Sequence, residues 1–129
     1  LTQYILAVDR DNPRVADLYH TMHPAVLMAL QSVVDAAKDV GIPVSLCGEL
    51  AGDPAGALLL MGMGYDSLSM NAASLPKVKS VIRNFSLSQA QAMLQQTLQQ
   101  VGADGVQQVI QEHLKAAGLT RLHSRYVDD

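Results

Sequence analysis

Within eight residues, Cys47-Gly48-Glu49-Leu50-Ala51-Gly52-Asp53-Pro54, the chain gathers a thiol, two carboxylates and two glycines. The stretch follows the apolar run Ile42 to Cys47, which reads as a strand. It precedes Asp53-Pro54, which reads as the cap and first turn of a helix. In parallel α/β folds that strand-to-helix edge holds the active site. Glycines there let backbone approach a ligand closely. A thiol at such an edge can be a nucleophile, a metal ligand or an acid. Free thiols have a pKa of about 8.5, so at neutral pH they are mostly protonated and able to donate a proton. The plainer alternative for a lone Cys is a small buried hydrophobe, and spacing alone does not choose between the two.

Asp9-Arg10-Asp11 ends a second apolar run, Leu1 to Val8. An Arg at a strand end can grip a phosphate or carboxylate through two parallel hydrogen bonds. A surface ion pair with the flanking aspartates is the simpler reading. His20 and His23 are two potential metal ligands, but with no third nearby they read better as helix-entry residues. Met61, Met63 and Met70 read as core. Gly62-Met63-Gly64 lacks the pattern of a phosphate loop and reads as a helix stop.

Placing these groups takes a scaffold of strands and helices in alternation. Leu1 to Val8, Ile42 to Cys47 and Ser67 to Met70 are the predicted strands. Asn12-Pro13 predicts a short helix through Tyr19. His23-Pro24 predicts a longer one, with Leu27, Leu30, Val33, Val34 and Ala37 on one face and Gly41 as its C-terminal stop. Ser74 is the predicted cap of a helix carrying Val78, Val81, Ile82 and Phe85. Ser86 and Gln89 fit a capping box. Beyond it, Leu94, Leu98 and Val101 line one helix, and Val106, Val109, Ile110 and Leu114 line another after the break at Gly102. Strands alternating with helices imply parallel pairing. The predicted organisation is three β/α units over residues 1–85, a Gln-rich helical hairpin over 86–118 and a frayed tail over 119–129. Three units are too few to close a (β/α)8 barrel.

The composition narrows the function. A net charge of -3 offers no basic field, so nucleic acid and anionic membranes are not expected partners. The most apolar run, Ala57 to Met63, falls far short of the roughly 20 residues of a spanning helix, so no membrane association is expected. The single cysteine fits a reducing cytoplasm. The chain opens on Leu1, with no basic stretch ahead of an apolar one, and is expected to be a piece of something longer.

Leu1-Thr2-Gln3-Tyr4, Ala7-Val8-Asp9-Arg10, Cys47 to Asp53 and Leu68-Ser69-Met70 stand in the order and spacing of a known family. The chain resembles, from Leu1 to about Phe85, the C-terminal end of the barrel of phosphoenolpyruvate–protein phosphotransferases, the enzyme I family of bacterial phosphotransferase systems. His23-Pro24-Ala25, Gly64-Tyr65 and Ser69-Met70-Asn71 resemble its nitrogen-related branch more than its sugar branch. Pyruvate phosphate dikinase shares the barrel, but the resemblance would there place His at Leu50, so Leu50-Ala51 favours enzyme I.

The resemblance implies the last three units of a (β/α)8 barrel that binds phosphoenolpyruvate and Mg²⁺ at its C-terminal face. The phosphoryl group passes to a histidine of a separate domain, then to a histidine-containing phosphocarrier protein. The enolate left behind is protonated to pyruvate. By resemblance Cys47 is the general acid and Arg10 a phosphate ligand. A homodimer is also implied; apart from the resemblance, three parallel strands would leave unpaired edges that call for a partner, and exchange of a helix or strand between copies is one route. The departures count too. The family's Asn-Asp pair would stand just ahead of Leu1. The acidic Mg²⁺ ligand and further arginines belong to earlier strands, so no metal ligand is assigned here. None of His20, His23, His113 or His123 sits in the phosphorylated-histidine motif. The chain alone is therefore expected to be inert and to self-associate. A purely non-catalytic dimerisation module is the alternative from a different class.

Overall fold

A sixteen-residue helix and an apolar ten-residue helix, lying 15 residues apart in the chain, provide much of the core. The structure, a computed structural model, describes residues 1–119; His123 and all of the expected tail except Leu119 lie outside them. Helix α1 spans Thr2–Leu6, and a single 3₁₀ turn follows at Ala16–Leu18. Then come α2 (Pro24–Asp39), β1 (Ser45–Cys47), α3 (Glu49–Gly52), α4 (Pro54–Met63) and β2 (Ser67–Ser69). Helices α5 (Leu75–Asn84), α6 (Leu87–Leu98) and α7 (Ala103–Ala116) complete the order. None is long and apolar enough to cross a membrane.

The caps explain most boundaries. His23 opens α2, its Nδ1 accepting from the Ala25 N–H at 3.2 Å, with Pro24 in the first turn. The helix closes with paired bonds, Ile42 N–H to the Ala37 carbonyl and Gly41 N–H to that of Lys38. Asp53 caps α4 by accepting from the Gly56 N–H at 2.8 Å. Ser86 and Gln89 form the reciprocal capping box of α6. Helix α4 is apolar on every side, which requires burial all round. Leu58, Leu59, Leu60 and Met63 share one buried core with Leu27, Leu30 and Val34 of α2, Met93 and Leu94 of α6, and Val106, Ile110 and Leu114 of α7. Gly62 is not the helix stop its neighbourhood predicts. It lies inside α4, where a Cβ would sit 2.7 Å from the Ala90 carbonyl oxygen, so its lack of a side chain lets α6 lie close. The stop is Gly64, in the left-handed conformation.

The sheet has two parallel strands among the described residues, joined through α3 and α4. Ser45 pairs with Ser67, Leu46 with Leu68 and Cys47 with Ser69. At its N-terminal edge the Asp66 carboxylate accepts from the Val44 N–H at 2.8 Å, and the Asp66 N–H donates to the Val44 carbonyl at 2.9 Å. The predicted first strand is corrected: Leu1 to Val8 is not extended but coils into α1. Among the described residues the segment joins neither β1 nor β2, which pair only with each other. An extended segment would leave its N–H and C=O groups without partners. Coiling satisfies them locally, as in the 2.9 Å bond from the Ile5 N–H to the Leu1 carbonyl. The described chain is thus mostly helical, with a small parallel sheet instead of three strand units. The predicted helix from Asn12 is also corrected. Asn12 Oδ1 accepts from the Arg14 N–H in a local turn, and only the 3₁₀ turn forms. Val33 and Val101, expected on buried faces, are exposed.

Candidate functional site

Both strands end at one place. Cys47 and Ser69 are register partners and the last residues of β1 and β2, and both line a cleft of 1030 Å³. Strand geometry puts them there together: pairing in parallel aligns their C-terminal ends, and the chain must leave both strands on that side. Gly48 follows Cys47 with φ 124, a backbone angle that favours glycine, and turns the chain at once into α3. Glu49 opens α3 and Asp53 ends it, so both carboxylates of the motif line the same cleft.

Three other segments build the walls. His20 enters from the segment ahead of α2. Asn71, after β2, accepts from the Ser74 N–H at 2.8 Å and so takes the role expected of the Ser74 side chain, which makes no cap bond. Lys77 of α5 brings a cation. Helix α7 contributes Ala103, Gln107 and Ile110 as a wall, anchored by its buried face of Val106, Ile110 and Leu114.

Cys47 is exposed and unpaired by any disulfide, so the buried-hydrophobe alternative does not hold. Arg10 reaches the same region through Glu49. Its Nη1 lies 3.7 Å from Glu49 Oε1, and its Nε lies 3.8 Å from Asp11 Oδ1. The surface ion pair weighed for Arg10 thus forms with Asp11, while the contact to Glu49 links it to the cleft. Both are ion pairs too long to be hydrogen bonds. His23 serves as a cap, as its position predicts. Among the described residues no three His, Cys, Asp or Glu side chains stand together as a cation site. Glu49 points toward Arg10 and Asp53 caps α4.

Sequence reasoning did not assign Ser69, Asn71 or Lys77 to the site. Ser69 and Asn71 carried a signal, since they flank the end of a predicted strand, where sites collect. Lys77 carried none, because its helix meets the cleft only through tertiary packing.

Comparison with known proteins gives the site its family. A phosphoenolpyruvate-protein phosphotransferase of Haemophilus influenzae is 46% identical over 114 residues, covering 88% of this chain and 20% of that protein. A protein of Salmonella typhimurium named for the phosphoenolpyruvate-dependent phosphotransferase system is 41% identical over 119 residues, 92% of this chain and 16% of that protein. A multiphosphoryl transfer protein of Xanthomonas campestris is 46% identical over 99 residues, 77% of this chain and 12% of that protein. The chain thus spans a fifth or less of the length of these relatives. The family profile described as PEP-utilising enzyme, PEP-binding domain matches residues 1–87, which contain α1 to α5, both strands, Cys47 and Arg10. With its strand ends, thiol and arginine inside that match, the chain belongs to the PEP-utilising enzymes, as part of their PEP-binding domain.

Proposed function

We propose that this chain is the part of a longer phosphoenolpyruvate–protein phosphotransferase that holds substrate phosphate and returns a proton to the product. Phosphoenolpyruvate lies at the C-terminal ends of β1 and β2, with Arg10 gripping its phosphate. The P–O bond breaks as a nitrogen–phosphorus bond forms on a protein histidine. The enolate left behind takes the Cys47 proton at its terminal carbon. A C–H bond forms, the S–H bond breaks, pyruvate leaves, and solvent reprotonates the thiolate. Donors held near a developing charge act mainly by position and electrostatics. One observation carries the reading: Cys47 ends β1 in the cleft, and two residues on, Glu49 is ion-paired with Arg10.

The remaining parts of the reading rest on resemblance. The longer protein closes a (β/α)8 barrel, and Mg²⁺ is held by residues outside those described here. A histidine-containing phosphocarrier takes the phosphoryl group, in the first step of a bacterial phosphotransferase system. His23-Pro24-Ala25 and Ser69-Met70-Asn71 favour the nitrogen-related branch. The protein works as a homodimer, and its one exposed thiol suits the reducing cytoplasm.

The test is Cys47→Ala in the full-length phosphotransferase. Loss of a positioned acid lowers rates roughly 10²–10⁴-fold. Pyruvate formation should fall by that order while phosphoenolpyruvate still binds in a direct titration. Turnover at the unsubstituted rate would end the assignment.

A further inference from the structure

We infer that Glu49 is a positioning residue for Arg10, one that sets the distance between the phosphate grip and the proton donor. The inference rests on the proposed reading of Arg10 as a phosphate ligand. A guanidinium presents five donors in a rigid plane. Asp11 lies against its Nε and Glu49 against its Nη1. The two contacts differ in what they can do. Asp11 is the neighbour of Arg10 in the chain, so it restrains only the local rotamer. Glu49 is 39 positions away, on the far side of Gly48 from Cys47. It is therefore the link from Arg10 to the segment that carries the thiol. At 3.7 Å for Glu49 and 3.8 Å for Asp11 neither carboxylate forms a hydrogen bond, so a phosphate can take the shorter bonds.

The pair is also poorly suited to a stabilising role. The Arg10 and Glu49 side chains are 53% and 74% exposed, and exposed pairs contribute little to folding. An acidic group beside an anionic substrate weakens binding through space unless it holds something that binding needs. The two roles therefore predict opposite signs.

The experiment is steady-state kinetics of the full-length phosphotransferase carrying Glu49→Gln, Arg10→Ala and both. Phosphoenolpyruvate is the varied substrate, and thermal melts check folding. Positioning predicts that Glu49→Gln raises KM roughly 1.4- to five-fold, the range seen for coupling in exposed ion pairs. Glu49→Asp, a shorter chain with the same charge, should fall in between. In the Arg10→Ala background, Glu49→Gln should change KM no further, because its effect runs through Arg10. A fall in KM for Glu49→Gln, or an equal rise in both backgrounds, overturns the inference and leaves the role of Arg10 intact. An unchanged KM for Arg10→Ala alone overturns the proposed reading itself, and the inference with it.

Discussion

Helix α4 and the lip around Cys47 are joined only by α3, yet they are built on opposite terms. In α4 every side packs, from Ala55 to Met63, and a single glycine lets α6 close on it. At the lip, Cys47, Gly48 and Glu49 are exposed, the backbone turns at φ 124, and the ion pairs are long. Burial of apolar area is what holds the first region. The second contributes little to folding, so its residue types are free to serve a ligand. The contrast teaches where to expect damage from substitution: stability from α4, chemistry from the lip.

The contrast breaks most sharply with Leu59→Ala. Deleting a fully buried Leu side chain costs about 2–5 kcal/mol. Urea unfolding should show a loss in that range, whereas Cys47→Ala should stay within about 0.5 kcal/mol of the parent, as exposed sites do. Equal losses at the two positions would erase the distinction.

A smaller effect is expected for Gly62→Ala. The helix preference of Ala favours it, but the new methyl meets the Ala90 carbonyl oxygen at 2.7 Å, and backbone there must move. Overpacking of this kind costs roughly 1–3 kcal/mol, to be read from the same unfolding curves. A stabilised variant would show that α6 is free to shift.

The smallest effect sits at the end of α4 far from the lip. Tyr65, just after α4, donates its hydroxyl to the Leu30 carbonyl at 3.2 Å, and burial raises its pKa above the usual 10.0. Below pH 10 the phenol is neutral folded or unfolded. As pH climbs past 10 the unfolded chain ionises first, so folding stability falls until the folded phenol also ionises. Tyr65→Phe lacks that loss. Its melting temperature should drop less than the parent's between pH 9 and pH 11, about these values on the ordinary tyrosine scale. Parallel declines would show that Tyr65 does not feel its surroundings.

Local chemistry made many elements legible. His23-Pro24, Asp53-Pro54 and the Ser86–Gln89 box each satisfy helix-end N–H groups within a few residues, so the sequence alone carries the boundary. The apolar spacing of Leu27, Leu30 and Val34, and of Val106, Ile110 and Leu114, likewise marked the faces that are buried. The strand ending at Cys47 could be read from its position before a glycine and a helix cap, and with it the edge where the cleft opens.

Three things were decided only by the tertiary structure. Leu1 to Val8 has strand-like composition, but a strand exists only with a neighbour to share its hydrogen bonds, and here the segment coils instead. Arg10 meets Glu49 across 39 positions of sequence, a contact that no local pattern encodes. Lys77 reaches the cleft because α5 packs on α4, and the α7 wall does so because α7 packs on α6, which itself packs on α4; these are choices made by the fit of buried side chains and not by any residue near Cys47. Period and capping are local and travel with the sequence; strand pairing, ion pairs between distant segments and the walls of a cleft depend on what else has folded beside them.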